Sequence, residues 1–280
     1  MIIFKTARDL SAWLSAAKGS GQSAGFVPTM GALHEGHLSL IRQSRAANDR
    51  TVCSIFVNPT QFNNAEDFSN YPVTIEKDIE QLLAAGCDAL FLPSVAEVYP
   101  PGHVKKQYAL GPVEEVLEGA FRPGHFQGVC EVVERLLDVV APQRLYLGQK
   151  DFQQCMVLRK LLSLTGKDAA IELMIAPTLR EPDGLAMSSR NLRLDAEQRS
   201  KATAIYQCLD GIRKHFGEKD NRSLEAAAKA ELEKQGFVVD YIAICEPSTL
   251  LPLEGNNRPA VVLAAAFLGP VRLIDNMVID

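Results

Sequence analysis

His34-Glu35-Gly36-His37 places two imidazoles three residues apart, behind the turn Pro28-Thr29-Met30-Gly31. An apolar, strand-like segment runs up to Pro28, and an apolar helical pattern begins at Leu38. Glycine lets a backbone turn sharply and approach a ligand closely. The first turn of a helix offers unpaired N–H groups and the positive end of the helix dipole. Histidines add donors that are neutral or cationic near pH 7. These groups suit a nucleotide triphosphate lying over a strand–loop–helix junction. Two plainer readings stand beside that one. A zinc site is one, but the metalloprotease pattern sets its histidines four apart with Glu directly after the first. Here they are three apart and no third ligand is evident. Ordinary surface or helix-capping histidines are the other.

Three further groups carry chemistry. Lys150-Asp151 follows a predicted strand at its carboxyl end, where open α/β sheets bind ligands; an exposed charge pair at a helix start is the alternative. Ser188-Ser189-Arg190 sets two hydroxyls and a guanidinium side by side after the turn residues Asp183-Gly184, a set able to wrap phosphate oxygens. A plain linker between domains accounts for that segment too. Asp78 is a possible Mg²⁺ ligand, or simply part of a solvated helix face.

The elements that must hold these residues change character once, near residue 180. Before it, short buried strands are predicted at Ala24–Val27, Thr51–Val57, Asp88–Leu92, Arg144–Leu147 and Ile171–Ile175. Helices are predicted between them, at Leu38–Ala47, Ile75–Ala85, Cys130–Val140 and Phe152–Leu164, with Thr74 as an N-cap and Gly86 as a stop. Such alternation implies a doubly wound parallel sheet. After Gly184 come helices at Asp195–Phe216 and Ser223–Gln235, then strands at Phe237–Ile244, Ala260–Phe267 and Val271–Ile279. A second, smaller α+β domain follows, so the expected division is 1–178 and 179–280.

Composition bounds the rest. The 280 residues are 47% apolar and 22% charged, with a net charge of −5, which argues against a broad nucleic-acid surface. The six cysteines are scattered without a C-x-x-C pair and read as buried free thiols. The N-terminus lacks a secretory pattern, and no apolar run is long enough for a membrane span of about 18 residues. A cytoplasmic protein without membrane partners is expected.

Five blocks, in order, carry a resemblance: Pro28–His37, Phe56–Phe62, Arg122–Val129, Gly148–Gln154 and Gly184–Asn191. The chain resembles the pantothenate synthetase (pantoate–β-alanine ligase) family of the HIGH-motif nucleotidyltransferase superfamily, with Gln149 where many members carry Glu. The resemblance implies a Rossmann-like N-terminal domain, a small C-terminal lid and a homodimer. It implies ATP-dependent joining of pantoate to β-alanine through a pantoyl-adenylate, with Mg²⁺, releasing AMP and pyrophosphate.

By that resemblance Met30, Gly31, Ala32, Leu33, His34, Glu35, Gly36 and His37 wall the ATP site, His34 and His37 donating to phosphates. Gly148, Gln149, Lys150 and Asp151 form a second segment, with Lys150 on the phosphates. Leu179 and Met187 flank adenine, and Met187-Ser188-Ser189-Arg190 is similar to the superfamily's KMSKS-type loop. Gln61 and Gln154 are expected to read pantoate, with Asn58 beside them and Met30, Phe62, Val132 and Val133 around its methyls. The roles of Arg122 and His125 are left open, bracing of the loop around the pocket being one reading. The catalytic set is His34, His37, Lys150, Ser188, Ser189 and Arg190. The alternatives are a HIGH-motif enzyme with another acceptor and a nucleotide sensor without catalysis.

Overall fold

The computed structural model describes residues 1–63 and 68–280, and its chain divides into two compact units. The first comprises Met1–Gly111, Arg122–Gly148 and Gln154–Ala176; the second comprises Pro112–Phe121, Gln149–Gln153 and Pro177–Asp280. The main change therefore falls at Pro177. Two short segments that a single cut at 178 assigns to the N-terminal domain belong to the second unit instead.

The first unit is built on six parallel strands: β1 (Ile2–Phe4), β2 (Ala24–Thr29), β3 (Arg50–Ile55), β4 (Ala89–Phe91), β5 (Arg144–Gly148) and β6 (Glu172–Ala176). Their order in the sheet is β1-β4-β3-β2-β5-β6. Its longer helices among the described residues are α1 (Ala7–Gly19), α2 (Glu35–Ala47), α3 (Ile75–Ala84), α4 (His125–Val140) and α5 (Phe152–Leu164). This is a Rossmann-like sheet with crossover helices. Strand order reverses between β2 and β5, so a crevice outside their carboxyl ends is where such a sheet binds ligands. The loop after β2 carries Met30–His34, and β5 ends at Gly148.

One glycine sets how closely α2 lies on the sheet. A Cβ on Gly25 would stand 2.2 Å from Ser44 Oγ and 2.5 Å from Asn48 Nδ2. The space is filled by polar groups that satisfy one another. Asn48 Nδ2 donates to Tyr146 Oη and to the Ser44 carbonyl, both at 2.8 Å, and the Ser44 and Thr51 hydroxyls are 2.9 Å apart. Around them Val27, Leu33, Leu38, Leu40, Ile41, Ile55 and Leu90 form the core on which α2 rests.

The second unit holds an antiparallel sheet β7-β8-β9 (Phe237–Cys245, Ala260–Leu268, Val271–Ile279) and the helices α6 (Ala196–Lys201), α7 (Ala204–His215) and α8 (Asn221–Lys234). Apolar residues of α7, α8 and β8, among them Leu209, Ile212, Leu232, Val262 and Ala264, form its core. The single helix expected over Asp195–Phe216 is two, broken by a turn at Ala202-Thr203. The segment Pro112–Phe121 is held to this sheet by charge. Arg272 reaches both oxygens of Glu118 at 2.8 Å and Asp240 at 2.7 Å, and Tyr241 Oη donates to Glu118 at 2.9 Å.

Candidate active site

In the first unit the loop after β2 passes through two left-handed residues, Gly31 (φ 84°) and Ala32 (φ 48°). Asp78 of α3 holds it there. Its Oδ2 accepts from the Ala32 N–H and its Oδ1 from the Leu33 N–H, each at 2.9 Å, with the Thr74 hydroxyl donating to Oδ1 at 3.0 Å. Asp78 is wholly buried. This corrects both expectations for it. It is no solvated face residue, and its oxygens brace the loop rather than await a metal. Thr74 stands at the N-cap of α3 as expected, although its hydroxyl serves Asp78 rather than a backbone N–H of the helix.

The loop delivers His34 to the N-cap of α2, where the two histidines form a reciprocal capping box. His34 Nδ1 accepts from the Gly36 N–H at 3.2 Å, and His37 Nδ1 accepts from the His34 N–H at 3.3 Å. The rings lie 4.0 Å apart. A ring nitrogen that accepts carries no proton, so in both neutral rings the proton sits on Nε2. Nδ1 of each ring thus organises the helix start. Glu35, in the first helical turn, is paired with Arg42.

Gln61 closes the one-turn helix Pro59–Gln61 and is largely buried. Its Nε2 contacts Met30 Sδ at 3.1 Å, and its Oε1 accepts from Asn58 Nδ2 at 3.2 Å. Asn58 is 1% exposed and fully engaged. Its Nδ2 also donates to the Gly128 carbonyl at 3.1 Å, and its Oδ1 accepts from Tyr99 Oη at 2.9 Å. Asn58 therefore holds Gln61 in place. His125 Nδ1 donates to the Gln61 carbonyl at 2.8 Å, which gives this histidine the bracing role that sequence left open. Phe62 stacks edge-on with Phe68 and Tyr71, while Val132 and Val133 are buried on α4.

In the second unit Gln149–Asp151 forms a single 3-10 turn, with the Lys150 ammonium 3.8 Å from Asp151. A Cβ on Gly148, the last residue of β5, would meet no protein atom within 4 Å. Leu179 and Met187 face each other across a short hairpin, the Met187 N–H donating to the Leu179 carbonyl at 3.0 Å and Arg180 bridging to Ala186. Gly184 (φ 96°) turns that hairpin where a Cβ would strike the Tyr206 ring at 2.4 Å. Ser188 then caps the 3-10 helix Ser189–Arg193, its Oγ accepting from the Arg190 N–H at 3.3 Å. Ser189 is buried. Gln154 is half-buried at the start of α5. Its neighbour Gln153, unassigned by sequence, is a strut: it donates to the Val113 and Val116 carbonyls and accepts from the Glu118 N–H.

A parallel α/β sheet with a histidine-capped helix after its second strand, and donors rather than nucleophiles in its motifs, defines a nucleotide-handling enzyme class. Residues 2–278 match the family model described as pantoate-beta-alanine ligase. The pantothenate synthetase of Pseudomonas aeruginosa (strain UCBPP-PA14) is 46% identical over 98% of this chain and 97% of that protein. The crystal structure of pantothenate synthetase from Thermus thermophilus superposes with a TM-score of 0.92 at 42% identity, covering 99% of both chains. A Francisella tularensis pantoate-beta-alanine ligase, solved in complex with beta-gamma ATP and beta-alanine, gives 0.84 at 36% identity over 99% of this chain and 97% of that one. The chain belongs to the pantoate-beta-alanine ligase family.

Proposed function

We infer that this protein joins pantoate to β-alanine, cleaving ATP to AMP and pyrophosphate by way of a pantoyl-adenylate. The observation that carries the reading is the histidine capping box at the N-terminus of α2, with the two rings 4.0 Å apart. The pantoate carboxylate is ionised at neutral pH, so its attack on the α-phosphate needs no general base. The obstacle is bringing two anions together, which positioning and charge neutralisation overcome. His34 and His37 donate to phosphate oxygens. Lys150 and Arg190 supply positive charge, and the Ser188 and Ser189 hydroxyls supply further donors. By analogy with oxyanion-hole donors, each is worth about 2.7–4 kcal/mol in the transition state.

The loop from Gly31 to Gly36, held by Asp78, and the open space at Gly148 suit close approach of the nucleotide, with Leu179 and Met187 on adenine and Gln149 and Asp151 beside Lys150. Gln61 and Gln154 read the pantoate hydroxyl and carboxylate, and Met30, Phe62, Val132 and Val133 surround the methyls. Mg²⁺ supplies charge neutralisation on the phosphates. The ion would arrive with the nucleotide, since the histidine, lysine and helix N–H groups are donors to phosphate and not ligands of a cation, and no protein ligand is assigned to it. The beta-gamma ATP and beta-alanine named in the complex of the Francisella relative support ATP and β-alanine as substrates. We assign the protein to the cytoplasm as a homodimer. No helix among the described residues is long and apolar enough to cross a membrane. The test is product release from ATP, Mg²⁺ and pantoate: pyrophosphate without β-alanine, and sustained AMP turnover only with it. Turnover with another acceptor, or ATP binding without turnover, would displace the reading.

A further inference from the structure

Asn276, on β9, is 1% exposed and spends its whole side chain on the turn that carries Lys150. Its Nδ2 donates to the carbonyls of Gln149 and Lys150, both at 2.8 Å, and its Oδ1 accepts from Gln149 Nε2 at 3.2 Å. The adjacent Asp275, buried and 5% exposed, is paired in fork geometry with Arg180, at 2.6 and 2.9 Å. Its Oδ1 also accepts from the Asn276 N–H at 2.8 Å.

Arg180 belongs to the hairpin that leads into Ser188–Arg190. It donates to the Gly184 carbonyl at 3.0 Å and to the Asn276 carbonyl at 3.3 Å, and it lies over the Tyr206 ring at 4.6 Å. Asn191 Nδ2 in turn donates to the Ala186 carbonyl at 3.0 Å, tying the far end of the Ser188 loop to the same hairpin. Two neighbouring residues of one strand thus grip the turn that carries Lys150 and the hairpin that leads to Arg190. A buried ion pair gives little net stability against an apolar replacement, so stability alone is a poor reason to place one here.

We propose that Asp275 and Asn276 are positioning residues, which fix the Lys150 turn and the Ser188–Arg190 loop in one register so that both serve the same triphosphate. The inference rests on the reading above that Lys150 and Arg190 bind phosphate. Asn276 acts through the Lys150 backbone, and Asp275 acts through Arg180 on the loop.

The test compares ATP and pantoate affinities by calorimetry, at a temperature where circular dichroism shows every variant folded. Asn276→Ala should weaken ATP about tenfold and pantoate less than twofold. In a Lys150→Ala background the same substitution should cost ATP less than twofold further, because the group it positions is gone. Asp275→Asn, which keeps the side-chain outline, is the second variant and is compared with and without Arg190→Ala; it carries the test if Asn276→Ala does not fold. Equal weakening in both backgrounds, joint loss of ATP and pantoate binding, or unchanged ATP affinity would overturn the proposal. Lys150→Ala with parental ATP affinity overturns the phosphate role of Lys150 itself. Additivity after a genuine Lys150→Ala defect overturns only the positioning role.

Discussion

Asp78→Ala removes the acceptor that holds the Gly31–Leu33 turn. Two backbone N–H groups, at Ala32 and Leu33, lose a carboxylate 2.9 Å away in a fully buried place. Each such loss costs about 1–3 kcal/mol, so about 4 kcal/mol for the pair. The turn contains a non-glycine residue at φ 48°, a conformation that persists only while its surroundings enforce it. At about 2–4 °C per kcal/mol for a unit of this size, melting should fall by about 10 °C. Asp78→Asn keeps one acceptor and turns an amide donor toward the other N–H, so about half that loss is expected. Since the turn leads directly into the His34 N-cap, KM for ATP should rise in both variants more than KM for pantoate. Thermal melts and initial-rate kinetics check this. An Asp78→Asn protein that melts within about 1 °C of the parent, with the parental KM for ATP, would refute the bracing argument.

Other consequences follow from the same packing. Gln61→Ala should raise KM for pantoate at least about tenfold with little change for ATP, as expected where a hydroxyl-reading amide is lost; equal effects on both would remove the glutamine from the pantoate site. Gly128→Ala would set a Cβ 2.4 Å from the Thr60 carbonyl oxygen. The Pro59–Gln61 turn must then move off α4, at about 1–3 kcal/mol, and urea denaturation should register the loss together with weaker pantoate binding. Burial pushes the Cys208 thiol up to about 11 and those of Cys87 and Cys245 up to about 12, and raises Cys53 well above its ordinary value. Little thiolate then exists at pH 8, so a disulfide reagent should find almost no fast thiol in the native protein, Cys208 first, and six after denaturation. Two or more fast native thiols would contradict the burial of these side chains.

The parallel strands were legible because strands buried on both faces are written as unbroken apolar runs. β1 was not: it is three residues long, and Ile2 and Ile3 are partly exposed at the sheet edge. α1 was missed as well, although Thr6 caps it and Leu10 and Leu14 mark its buried face. α4 begins five residues before its apolar run, at His125, because Gly128 and the polar residues around it hide a helical turn that packs tightly on Pro59–Gln61. The histidine motif and its helix could be read from local spacing. Its support could not. Asp78 acts 46 residues away from Ala32, and Asn276 acts 126 residues from Lys150. No periodicity or spacing carries such contacts, since they depend on which loops the topology brings together. Asp78 shows the hazard in reverse: a carboxylate near a nucleotide motif suggests a metal, while its two oxygens are spent on backbone N–H groups.

The central claim is that a carboxylate oxygen of pantoate attacks the α-phosphate of ATP. Pantoate carrying ¹⁸O in both carboxylate positions tests it in one turnover with β-alanine. If the acyl-adenylate forms, one labelled oxygen departs with AMP when the amine attacks the carbonyl carbon, and the other remains in the product amide. Unlabelled AMP, or label in pyrophosphate, would contradict the account.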